Sequence, residues 1–139
     1  IIRLRKVIES GAYRTLNPDE LTKDGMTQQE AEVFCRFAEA VRLASSDSAI
    51  KEGTTYDLCY CNSSSDGFDK DRHFAFLRDH EDHTLLIAAN FSNRESVMNI
   101  IIPEHAFEWM GIPVSDDLYP GKNITMILGP MDAKVITLI

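Results

Sequence analysis

Four side chains able to ligate a metal stand together at His80-Glu81-Asp82-His83. A helical zinc site places two histidines four apart on one face. Here the spacing is three and the flanking runs are apolar, so the segment reads as a solvated charged hairpin tip. A second acidic cluster is Asp66-Gly67-Phe68-Asp69-Lys70-Asp71. A calcium loop needs Asp or Asn at its first, third and fifth positions, then glycine, then a distal glutamate. In this cluster glycine is second, phenylalanine third, and the distal glutamate is missing, so it reads as a loop. With 22 acidic residues in the chain, carboxylate pairs are inevitable. None ends a buried apolar run, where a raised pKa would suit one member for acid catalysis on a sugar bond. The sequence has no nucleophile elbow and no glycine-rich phosphate loop. Ser45-Ser46 and Ser63-Ser64-Ser65 read as linkers. No catalytic residue, metal ligand or cofactor-binding residue is assigned from sequence, and no cofactor is expected.

Aromatic side chains offer a different chemistry. Trp109, Phe107, Tyr119 and Phe68 have faces on which sugar rings stack, although the first use of such residues in a small β-rich domain is to fill the core. Trp109 and Tyr119 each lie next to a break and are the best placed to be exposed. The three cysteines make no disulfide framework. Cys59 and Cys61 sit two apart in a strand-like run and point the same way. Cys35 lies in a helical segment, and all three read as buried free thiols, consistent with a reducing compartment. Asn62-Ser63-Ser64, Asn90-Phe91-Ser92 and Asn123-Ile124-Thr125 match the glycosylation sequon, but the motif is short and common, and two of the three fall at strand ends.

These residues are carried by a helical first half and a stranded second half. Ile1 to Ser10 has apolar residues at helical spacing, and Asn17-Pro18-Asp19-Glu20 is a helix start. Thr27-Gln28-Gln29-Glu30 is a capping box that opens a helix to about Ala44, with Val33, Phe34, Phe37, Ala38, Val41 and Ala44 as its apolar stripe. Beyond Gly53 the period changes. Strands are expected at Thr54 to Asn62, His73 to Asp79, Thr84 to Phe91 and Val97 to Ile102. A short helix follows at Glu104 to Met110, then strands at about Asp117 to Tyr119, Ile124 to Leu128 and Lys134 to Leu138. Breaks this short join antiparallel neighbours in meander-like order. The expected fold is mainly β, an antiparallel β-sandwich preceded by N-terminal α-helices. Phe74-Ala75-Phe76-Leu77 and Leu85-Leu86-Ile87-Ala88-Ala89 are apolar on both alternating faces, so a covering partner is expected on each.

At 139 residues the chain suffices for one domain with a real core. A net charge of −8 and the lack of a basic stripe argue against a nucleic-acid partner and an anionic membrane surface. No apolar run is long enough to span a bilayer. The opening Ile1-Ile2-Arg3 reads as the start of a fragment of a longer protein.

Gly53-Thr54-Thr55-Tyr56-Asp57-Leu58, Phe74-Ala75-Phe76-Leu77-Arg78, Thr84 to Phe91 and Ile102-Pro103-Glu104-His105-Ala106-Phe107, in this order, resemble the C-terminal region of alpha-amylase family enzymes (glycoside hydrolase family 13). The resemblance runs from about Gly11 to Ile139. It implies that residues 1–52 are a helical lead-in from the end of a (β/α)8 barrel, that Ser48 to Gly53 is an extended connector, and that residues 53–139 are an all-β C-terminal domain. The family's catalytic Asp and Glu and its substrate-binding His and Arg lie on barrel strands, and no segment here matches them. The implied role is non-catalytic and structural, with the parent protein's catalytic barrel as intramolecular partner. The alternative is a carbohydrate-binding module for α-glucan, which requires two or more aromatics exposed on one face with polar neighbours. A third possibility is an interaction sandwich unrelated to glycosidases. Asp117-Leu118-Tyr119-Pro120-Gly121-Lys122 departs from the family's more regular strand and turn.

Overall fold

Helix α1 (Pro18–Lys23) opens on a proline, whose missing amide costs nothing in a first turn. The computed structural model describes residues 18–23 and 25–139; the helix expected at Ile1 to Ser10 lies outside them. The chain divides into two compact units, Ile1–Lys51 and Glu52–Ile139. In the first, α2 (Gln28–Ser46) starts at the capping box. Thr27 Oγ1 accepts from the Glu30 amide at 3.2 Å, and Glu30 Oε2 accepts from the Thr27 amide at 2.9 Å. Two orphan amides of the first turn are thereby satisfied. Ala31 and Ala38 are buried, whereas Val33 and Phe37 on the expected stripe are exposed. Asp47 ends α2 and at once starts α3 (Ser48–Glu52), its carboxylate accepting from the Ala49 and Ile50 amides at 2.9 and 3.2 Å. That cap is why the stretch implied to be an extended connector is a helical turn.

In the second unit, β1 (Thr54–Asp57), β2 (His73–His80), β3 (His83–Asn90) and β6 (Asp132–Thr137) form one antiparallel sheet in the order β1-β2-β3-β6. Strands β4 (Ser96–Ile101) and β5 (Asn123–Leu128) form a separate antiparallel pair. The order is therefore not the simple meander expected. The chain leaves the larger sheet after β3, builds β4, helix α5 (Glu104–Met110) and β5, and returns to lay β6 beside β3. The β2–β3 hairpin turns on Glu81 and Asp82, with φ of 47° and 65°. Two consecutive left-handed residues are the two-residue turn whose twist matches the strands.

Direct cross-strand partners share a face, so the register sorts the side chains. Tyr56, Leu77, Leu86 and Ile136 form one inward row and Ala75 and Ala88 the next. They share one core with Met98, Ile100, Met126 and Leu128 of the β4–β5 pair and with Ala106 and Phe107 of α5. Fully burying a Leu or Ile here contributes about 2 kcal/mol. The outward row Phe76, Ile87 and Val135 is apolar as well, with the Phe74 ring tilted against that of Phe76 at a centroid distance of 5.5 Å.

Three expectations are corrected. The described residues hold five helices beside six strands, so the chain is mixed helix and antiparallel sheet rather than mainly β. The strand expected over Thr54 to Asn62 stops at Asp57, because Asp57 Oδ1 accepts from the Cys59 amide at 2.8 Å and turns the chain into helix α4 (Cys59–Asn62). Asp117 to Tyr119 is not a strand: Ser115 and Leu118 bond each other's backbone at 2.8 and 3.3 Å, closing a local turn. No helix among the described residues is long and apolar enough to cross a membrane.

Candidate functional site

Tyr56 points inward from β1 and is only 8% exposed. Four residues later Tyr60 lies on α4, and the two hydroxyls are 2.7 Å apart. In the strand expected from sequence, a four-residue separation would hold them about 13 Å apart; the Asp57 turn is what brings them together. Helix α5 contributes His105 and Trp109, an i, i+4 pair and so neighbours on one helix face. His105 Nδ1 lies 2.8 Å from the Tyr56 hydroxyl. The Tyr56 ring has Tyr60, His105 and Trp109 around it at centroid distances of 6.2, 5.7 and 5.9 Å.

Together with Thr55 and Asp57 these residues line a shallow depression of about 340 Å³. The buried Tyr56 lines it together with two exposed rings, Tyr60 at 58% and Trp109 at 56%. Burial, reinforced by the neighbouring Tyr60 hydroxyl, pushes the Tyr56 phenol well above its usual range. That shift favours the neutral phenol. The Tyr56 hydroxyl, with one proton to donate and lone pairs to accept, can bond Tyr60 and His105 at once, donating to one and accepting from the other, which links all three groups. The Trp109 indole N–H and His105 Nε2 have no hydrogen-bond partner among the described residues. The arrangement suits the holding of a ligand with ring contacts and a few hydrogen bonds.

The other candidates fall into structural roles. Phe68 and Phe107 are in the core, and Tyr119 is exposed with the Lys122 ammonium 5.7 Å from its ring centre. At the hairpin tip His80 Nε2 lies 3.6 Å from Glu52 and 3.9 Å from Glu81, while His83 Nδ1 lies 3.2 Å from the Ile139 carbonyl. Among the described residues no three His, Cys, Asp or Glu side chains are grouped to hold a metal. In the Asp66 to Asp71 loop, the Asp69 carboxylate accepts from the Asp71 amide at 3.0 Å, and the Asp69 amide donates to His73 Nδ1 at 2.9 Å.

Cys59 and Cys61 lie on helix α4, not on one strand as expected, and Cys35, Cys59 and Cys61, none in a disulfide, are half-buried rather than buried. Cys59 Sγ sits beside both backbone groups of Ala75, at 3.4 and 3.5 Å, and Cys61 Sγ donates to the Leu58 carbonyl at 3.3 Å. Burial pushes both thiols up. Two of the three sequon asparagines, Asn62 and Asn90, are fully buried and spent on backbone hydrogen bonds.

Sequence reasoning found Trp109 and missed Tyr56, Tyr60 and His105. The four-residue spacing of His105 and Trp109 was the available signal; the other two depend on the unforeseen turn at Asp57. A scan against protein-family models and a search of curated proteins give no match for this chain.

Proposed function

We propose that this chain is the C-terminal region of an alpha-amylase-like glycoside hydrolase acting on α-glucans, with a non-catalytic, barrel-packing role. In this reading the two sheets of residues 52–139 are the layers of a β-sandwich, and the helices before them come from the end of the barrel. The observation that carries the packing role is the outward face of the larger sheet. Phe74, Phe76, Ile87 and Val135 form a contiguous apolar row there, with Phe74 at 47% and Val135 at 42% exposure. A sheet face that meets only water alternates with polar residues, and an apolar one suits a partner. The order of the four segments that resemble the family adds to this.

The test is to sequence the coding region upstream of Ile1 and to express the longer product. The expected result is a barrel with acidic residues at its strand ends, α-glucan hydrolysis by the longer product, and none by the 139-residue chain. An upstream region without a barrel overturns the family reading. The packing role fails separately if Phe74→Asp leaves the melting temperature of the longer product unchanged.

A further inference from the structure

We infer that the depression formed by Tyr56, Tyr60, His105 and Trp109 is a subsite for one pyranose ring of a neutral oligosaccharide. A pyranose has two apolar C–H faces and a rim of hydroxyls. It asks for an exposed aromatic plane to stack on and for donors and acceptors around that plane's edge. Both are present. Trp109 and Tyr60 line the depression and are each more than half exposed, and both are rigid rings with two side-chain torsions. Around them stand the Trp109 indole N–H and His105 Nε2, neither with a hydrogen-bond partner among the described residues, and the exposed Asp57 carboxylate.

The site is also built rather than incidental. The buried Tyr56 hydroxyl bonds both Tyr60 and His105, so residues from β1, α4 and α5 are locked to one another before any ligand arrives. Preorganisation of this kind lowers the ordering cost of binding. A quaternary ammonium, the other common guest of aromatic clusters, needs several ring faces open to one point. Tyr56 is 8% exposed and presents no open face, so a stacked sugar fits better than a caged cation. An α-glucan as the natural source of the ring rests on the family reading above; the ring chemistry does not.

The chain has a single tryptophan, Trp109, and it reports directly on the site. The 139-residue chain is titrated with maltoheptaose and with cellohexaose to about 10 mM, following tryptophan emission and calorimetric heat. The expected result is a saturable change with at least one of the two sugars, weakened about tenfold or more in Tyr60→Ala. Trp109→Ala, read by calorimetry, should lose binding to the same degree. Both side chains are exposed, and thermal melts of each variant check that the fold is kept. Flat heats with both sugars overturn the inference. So does binding that survives both substitutions, and so does a tryptophan response to choline chloride when the sugars give none. A coding region without a barrel would overturn the family reading and leave this titration unaffected.

Discussion

The Asn62 side chain holds both backbone groups of Ile101. Its Oδ1 accepts from the Ile101 amide at 2.9 Å, and its Nδ2 donates to the Ile101 carbonyl at 3.0 Å. The same Nδ2 donates to the Leu58 carbonyl at 2.8 Å, so one fully buried amide ties helix α4 to the end of β4. It does for these two elements what a strand neighbour would do, at a place where no strand is available. Asn90 works similarly for the chain after β5, donating to the Leu128 and Gly129 carbonyls at 3.3 and 2.9 Å.

Asn62→Ala should therefore be among the more damaging single changes in the second unit. It leaves the Ile101 amide without its partner beside the emptied, fully buried Asn62 position. A buried donor left unpaired costs about 1–3 kcal/mol, and the emptied volume adds to that. Urea unfolding of the variant should show a loss of about 2–4 kcal/mol. A loss below about 1 kcal/mol would mean that water reaches Ile101 and replaces the amide.

Gly67 should not tolerate a side chain. Its φ is +84°, in the left-handed region, and a Cβ there would run into the Asn99 side chain. Moving Asn99 aside would break the hydrogen bond its Oδ1 accepts from Thr125 Oγ1 at 2.7 Å, while its backbone N–H stays tied to the Gly67 carbonyl at 3.0 Å. Gly67→Ala should cost about 2 kcal/mol or more, with contributions from the backbone conformation and from the clash. Adding Asn99→Ala should recover the clash contribution alone. A double variant no more stable than Gly67→Ala would assign the whole cost to the backbone.

The hairpin tip offers a change in the opposite direction. Glu81 and Asp82 both occupy left-handed conformations, which side chains other than Asn and Gly resist. Replacing them together with Asn and Gly should stabilise the chain by about 1 kcal/mol and raise its melting temperature. The 3.9 Å contact from Glu81 to His80 is lost, but that glutamate side chain is 86% exposed and such pairs contribute little. A lower melting temperature would show that the acidic pair at this tip matters more than its backbone strain.

The hairpin was readable from sequence because its signal is local: two apolar runs and a charged break. The capping box at Thr27 and Glu30 was readable for the same reason. Helix α4 was not, since Thr54 to Cys61 is rich in residues that favour strands, and the turn is made by one carboxylate of Asp57 and secured by Asn62 reaching 39 residues on to Ile101. The candidate site was half hidden by that misread turn. Its other half, His105 and Trp109, is joined to Tyr56 across 49 residues by packing that no spacing in the sequence encodes.

His73 sets an expected pH dependence. It is 8% exposed, with its ring edge-on to Phe68 at 5.6 Å, and its Nδ1 accepts from the Asp69 amide at 2.9 Å. Accepting at Nδ1 requires the neutral ring. Burial pushes its pKa below the ordinary 6.5, partly offset by the Asp69 carboxylate. The unfolded chain therefore takes up a proton at a higher pH than the folded chain does. The contribution is fully present above the unfolded pKa, and stability falls as pH drops below about 6.5. Unfolding free energies measured by urea between about pH 7.5 and pH 5 should decline, a window that lies above most carboxylate titration. His73→Asn keeps an acceptor for the Asp69 amide and removes the titration, so its decline should be shallower. An equal decline in the variant would place the pH dependence on groups other than His73.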